Sequence, residues 1–75
     1  MQEQLIESRI REALGENTEI TLSTSDGVHY SATVISEAFA GHSRLEQHRM
    51  VMKALEDIIS SNEVHALQLK TKVAE

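Results

Sequence analysis

The chain has 75 residues, enough for one domain with one modest core and too few for a catalytic cleft of the usual size. Its 40% hydrophobic and 25% charged content is that of a folded domain rather than a disordered one. The formal net charge of −5 disfavours non-specific phosphate binding, and the absence of cysteine excludes any disulfide, thiolate ligand or cysteine nucleophile from this chain.

Charge is unevenly spread. Residues 1–37 set Arg9 and Arg11 against seven acids, whereas residues 38–75 balance five bases against five acids. The second half can therefore present a local basic face. No window is long or apolar enough to span a membrane. Met1–Arg11 carries acids and lacks an apolar core, so it does not read as a secretory signal, and a cytoplasmic location is the expectation. There is no repeat, linker or low-complexity tract, which implies a single domain over 1–75.

In chain order, Leu5, Ile6, Ile10, Ala13 and Leu14 recur at three- and four-residue steps, predicting an amphipathic helix over roughly 2–14 that Gly15 ends. Ile20, Leu22 and Thr24 alternate with Glu19, Thr21 and Ser23, the period of a half-buried strand. Asp26-Gly27 is a hairpin signal that points to a type I′ turn. A second strand follows, with Val28, Tyr30, Ala32 and Val34 on one face and His29, Ser31, Thr33 and Ile35 on the other. Glu37–Gly41 reads as a short turn or a single helical turn. Ser43-Arg44-Leu45-Glu46 matches a capping box, in which hydroxyl and carboxylate each satisfy the other residue's amide. The long helix starts there, with a stripe of Leu45, His48, Val51, Met52, Leu55, Ile58 and Ile59, and ends at Ser60-Ser61-Asn62. Val64–Thr71 reads as a third strand.

This order predicts an α+β fold, an α-β-β-α-α-β two-layer sandwich. Strands 1 and 2 pair antiparallel. The long helix returns the chain so that strand 3 runs parallel to strand 2, giving a three-stranded mixed sheet with both helices on one face. The other face carries polar residues such as Thr21, Ser31 and Thr33.

Of the four histidines, His29 opens strand 2 and His65 opens strand 3. Parallel strands begin at one end of a sheet, and neighbours lie about 4.8 Å apart. The two imidazoles can then share a metal centre. If strand 3 lies beside strand 1 instead, its start is still at the hairpin end, only further off. By spacing alone such a pair is more often solvent-facing than ligating, and His65 shares the parity of Leu67 and Leu69, which suits the rim of a core. His48, on the helix stripe, reads as a packing histidine whose ring finds a partner. His42, before a helix N-terminus, reads as solvated in a setting that attracts anions. No nucleophile elbow, phosphate loop or carboxylate pair stands out.

Several blocks together resemble the BolA family. Val34-Ile35-Ser36-Glu37-Ala38-Phe39-Ala40-Gly41 is similar to its strand end and S-x-x-F-x-G segment. Arg44 through Val51 resembles its R-x-x-x-H-R-x-V/I helix, and Val64-His65-Ala66-Leu67-Gln68-Leu69-Lys70-Thr71 its V/I-H-A-L-x-L/I final strand. Asp26-Gly27-Val28-His29-Tyr30 is similar to the segment that opens its second strand. The resemblance implies a sandwich like that of class II KH domains. It also implies a non-enzymatic partner of monothiol CGFS glutaredoxins that co-ligates a bridged [2Fe–2S] cluster. Glutaredoxin and glutathione would supply thiolates, and this chain would supply His65, with His29 from the loop before strand 2. The function implied is cluster trafficking, or iron or redox sensing.

Two other readings stay open. One is a KH-like nucleic-acid-binding transcription regulator using a face of Arg44, Arg49, Lys53, Lys70 and Lys72. The other is a protein-interaction module without metal.

Overall fold

The computed structural model describes residues 2–27, 29–58 and 67–74. Helix α1 spans Gln2–Leu14, strand β1 Glu19–Thr24, strand β2 Tyr30–Ser36, a 3₁₀ turn Glu37–Phe39, helix α2 Arg44–Ala54 and strand β3 Leu67–Val73. The sheet order is β1-β2-β3, with β1 and β2 antiparallel and β2 and β3 parallel. This is the mixed three-stranded sheet expected from the chain order, with the short helix realised as one 3₁₀ turn.

Register explains where the core lies. Ile20, Val34 and Thr71 share a row, as do Leu22, Ala32 and Leu69. These residues and Val73 stand on one side of the pleat, because successive side chains alternate. Ile6 and Ile10 of α1 and Val51 of α2, with Phe39 and Leu55, close over that side and are essentially inaccessible. The opposite side carries Thr21, Thr33 and Lys70 in one row and Ser23, Ser31 and Gln68 in the next, and is left open to solvent.

Local chemistry accounts for the joints. Gly15 (φ +118°) donates its amide to the Arg11 carbonyl and ends α1. Ser36, buried at the end of β2, accepts the Ala38 amide and so caps the 3₁₀ turn; it also accepts from the Thr18 hydroxyl at 3.1 Å. Phe39 plugs the core from that turn. Both arms of the Ser43–Glu46 capping box are made, at 3.2 Å to the Glu46 amide and 2.8 Å to the Ser43 amide.

Three expectations need correction. The hairpin does not turn on two residues: Thr24 pairs with Tyr30 and leaves residues 25–29 in the loop. Gly27 alone of Asp26 and Gly27 has positive φ, at +74°, so the turn is not type I′. Second, α2 gives way at Leu55 to a tighter turn, with Leu55, Glu56 and Ile58 bonding three residues back. Leu55 and Ile58 keep facing the core through that turn, which is why their spacing reads as continued helix. Third, Leu45 is 60% exposed, and the inward side of α2 is set by Gln47, Met50 and Val51. Gln47 can be buried because its amide is satisfied at both ends. It donates to the His42 carbonyl at 2.9 Å and accepts from the Thr71 hydroxyl at 2.7 Å. Val28, Ile59, Ser60-Ser61-Asn62 and Val64, expected to belong to strands and to the long helix, lie outside the described residues.

Candidate functional site at the hairpin end of the sheet

Parallel pairing brings the start of β3 to the hairpin end. Tyr30, the first residue of β2, has Thr24 on one side and Leu67 on the other. His29 immediately precedes Tyr30, and His65 precedes Leu67 by two positions. His65 itself lies outside the described residues.

The loop that carries His29 is built by two side chains. The Thr24 hydroxyl donates to the His29 carbonyl at 2.6 Å and accepts the Gly27 amide at 2.9 Å. Asp26 accepts the His29 amide on Oδ1 at 2.8 Å, and its Oδ2 lies 2.8 Å from His29 Nδ1. The imidazole is 73% exposed. Since a carboxylate only accepts, Nδ1 carries the hydrogen, and Nε2 of the neutral ring keeps its lone pair. In its neutral form, an exposed imidazole with the Nε2 lone pair turned outward is suited to bind a transition-metal centre. Beside it runs a groove of about 440 Å³, lined by Ser23, Thr24, Ser25, Tyr30, Ser31 and Gln68 as well as His29. Tyr30 donates its hydroxyl to Glu3 at 3.3 Å. Partial loss of solvent, and then the Glu3 charge, push its phenol above the ordinary tyrosine range.

Among the described residues, no group of three or more His, Cys, Asp or Glu is arranged to hold a metal. A complete set would therefore draw on other groups. A pair of imidazoles completed by thiolates from another chain is chemically compatible with an iron–sulfur centre.

The other histidines behave differently. His48 is half-buried, and its Nε2 is enclosed without a hydrogen-bond partner, contrary to the expectation of a satisfied ring. It lines a groove of about 390 Å³ along β3 with Arg44, Leu69, Lys70 and Thr71. His42 is exposed, with Nδ1 3.6 Å from Glu46 Oε1, so the capping carboxylate is the anion it meets. The Ser43 backbone amide is the main cause holding the Glu46 carboxyl below the ordinary carboxylate range, and His42 adds to it.

The five cations expected to share a face do not. Arg44 and Lys70 flank the β3 groove. Lys53 lies instead with Arg9, Glu12, Glu56 and Asp57 between the helices, where Arg9 Nε is 3.0 Å from Asp57 Oδ2. That Arg9–Asp57 contact is an ion pair without hydrogen-bond alignment, because Arg9 Nε finds no properly directed acceptor. Lys72 belongs to the open side of the sheet, and Lys70 stands on the same side of the edge strand while still lining the β3 groove with Arg44. Arg49 is exposed, about 140° around α2 from Arg44 at 100° per residue. A strip tracking a phosphate backbone needs its cations together, and here they are divided by the two-layer architecture.

No helix among the described residues is long and apolar enough to cross a membrane. Sequence reasoning missed two buried polar links, Thr18–Ser36 and Gln47–Thr71, because hydropathy periodicity carries no signal for polar side chains that satisfy each other at long range.

Comparison with known proteins gives a consistent result. Residues 6–75 match the family of BolA-like proteins. Protein BOLA2 of Arabidopsis thaliana is 43% identical over 51 residues, covering 68% of this chain and 53% of that protein. Matches to curated relatives span from 39% to 60% of those proteins' own lengths. A bolA protein homologue from Coxiella burnetii superimposes with a TM-score of 0.70 at 35% identity, covering 91% of this chain and 85% of that one. BolA1 from Arabidopsis thaliana gives a TM-score of 0.75 over 93% and 88% of the two chains, a likeness of fold at 21% identity. With the family's segment spanning nearly the whole sequence and the same sandwich in solved relatives, the chain belongs to the BolA-like protein family.

Proposed function

We propose that this chain is a non-enzymatic adaptor that binds a monothiol CGFS glutaredoxin. In that complex it co-ligates a bridged [2Fe–2S] cluster through His65 and His29, with the glutaredoxin cysteine and glutathione supplying thiolates. The role is cluster trafficking, or iron or redox sensing, in the cytoplasm, where glutathione is kept reduced. The observation that carries the reading is the parallel pairing of Tyr30 with Leu67, which brings the start of β3 to the end of the sheet where His29 stands exposed. The chain's contribution is two imidazole nitrogen donors, His29 from the hairpin loop and His65 from the segment before β3. When bound, the cluster supplies one-electron chemistry at a potential that imidazole ligands raise relative to an all-thiolate set.

The test is to mix the chain with a CGFS glutaredoxin, glutathione, iron and sulfide, and to follow visible absorption and cluster lifetime. His29→Ala and His65→Ala are each expected to alter the spectrum and shorten the lifetime. If the double variant matches the wild type in both, the adaptor reading is wrong.

A further inference from the structure

We propose that Asp26 is a positioning residue for His29, fixing the ring hydrogen on Nδ1 so that Nε2 is the atom presented to metal; this rests on the cluster role just assigned to His29. The carboxylate meets His29 twice, and Oδ1 also lies 3.4 Å from the Thr24 hydroxyl. Oδ1 takes the His29 amide and Oδ2 faces Nδ1, each at 2.8 Å. The first contact sets the backbone and the second sets the ring, so together they fix both position and tautomer. The Thr24 hydroxyl holds the carbonyl of the same residue, and Gly27 at φ +74° lets the loop fold back so that residue 26 reaches residue 29.

A plain turn-forming role would need only the backbone contact. Aspartate and asparagine serve that purpose alike. An exposed charge-assisted contact of this kind also adds little to stability, so stability gives little reason for the ring contact. What the ring contact does is choose a tautomer for an imidazole that is otherwise open to water. Ligating histidines generally have their other nitrogen held in this way.

Asp26→Asn separates the two roles. The His29 amide is a donor, so it keeps the side-chain oxygen as its acceptor and the turn survives. The amide NH₂ then faces Nδ1 as a donor. Nδ1 must accept, and the hydrogen moves to Nε2, the atom meant for iron.

The experiment has two arms. In the ¹⁵N-labelled chain alone, at a pH where the ring is neutral, long-range ¹H–¹⁵N spectra should show His29 protonated on Nδ1 in the wild type and on Nε2 in Asp26→Asn. With the glutaredoxin, glutathione, iron and sulfide present, Asp26→Asn should shorten the cluster lifetime by about 10- to 100-fold. A wild-type ring protonated on Nε2, a tautomer unmoved by the substitution, or an unchanged lifetime would each overturn the proposal. Failure of the underlying cluster reading is distinguishable: His29→Ala would then leave the cluster unaltered, whereas the tautomer is read with no cluster present.

Discussion

The tie between Gln47 and Thr71 should matter more to stability than any ion pair described on the surface. It is a hydrogen bond that joins α2 to β3, and Gln47 is only 7% exposed. Replacing Gln47 by alanine removes two hydrogen bonds, worth about 0.5–1.5 kcal/mol each. It also removes one buried methylene, at about 0.8 kcal/mol. Because His42 is exposed and Thr71 half-buried, water can reach the groups left behind, and the full desolvation penalty does not apply. The expected loss is about 2–4 kcal/mol, a large share of the roughly 4–11 kcal/mol available to a chain of this length. Gln47→Leu keeps the bulk and should cost about 1–2 kcal/mol. Urea unfolding followed by circular dichroism reads these losses as a lower midpoint at unchanged slope. The decisive measurement is the cycle of Gln47→Leu, Thr71→Val and the double variant. Neighbours in one hydrogen-bonded link should couple by about 0.5–3 kcal/mol. Additivity within about 0.3 kcal/mol, or a Gln47→Leu variant as stable as the wild type, would refute the assignment of the tie.

Leu55, fully buried just past α2, should cost about 2–5 kcal/mol when changed to alanine, measured by the same unfolding curves. Ser43→Ala removes the hydroxyl arm of the capping box and should cost about 1 kcal/mol, seen in the thermal midpoint. Glu46 gives this cap a pH dependence: its carboxyl is held below the ordinary range in the folded chain, mainly by the Ser43 amide, so its contribution is present above the unfolded-state value and is lost as pH falls through the folded one. The stability difference between wild type and Glu46→Gln should therefore shrink on acidification from neutral pH to below the carboxylate range; a difference constant with pH would contradict this. Gly27→Ala meets no neighbouring atom within 4 Å, so its cost of about 1–2 kcal/mol should come from the positive φ alone.

Much of this fold is legible because its joints use residues with few alternative uses. Ser43 with Glu46, Gly15 after the α1 stripe, and the alternation from Glu19 to Thr24 each mark an element boundary that the structure shares. The S-x-x-F-x-G segment also has a physical reading: Ser36 caps the 3₁₀ turn, Phe39 fills the core, and Gly41 takes φ +81° where the chain turns toward α2. The inward side of α2 was not legible. A hydropathy stripe favours Leu45 over Gln47, but whether glutamine can be buried depends on partners at His42 and Thr71, the second of them 24 positions away. The loop at residues 25–29 was misread for a similar reason. Asp-Gly suggests a two-residue turn, and the Thr24 and Asp26 side chains stabilise a longer one. At the candidate site, the topology placing His29 at the sheet end could be deduced from chain order, but its contact with Asp26 could not.

That contact bears on a geometric problem that strand pairing alone would leave unsolved. Counting back from the paired residues Tyr30 and Leu67, His29 is one position earlier and His65 two. In strict strand geometry, adjacent positions along a strand project to opposite sides of the sheet. Two imidazoles offset by one position would then diverge, and an iron atom could not meet both. A shared centre therefore requires at least one of them to leave the strand's alternation. His29 does so, because β2 begins only at Tyr30 and the residue before it belongs to the loop. Its backbone is held by Thr24 and Asp26, and its ring direction is set by Asp26 rather than by the pleat. A two-residue type I′ turn would have continued the ladder toward the hairpin tip and returned His29 to that alternation. On the cluster reading, the longer loop supplies the departure the site needs, and its Asp26 aims a histidine as well as helping to reverse the chain.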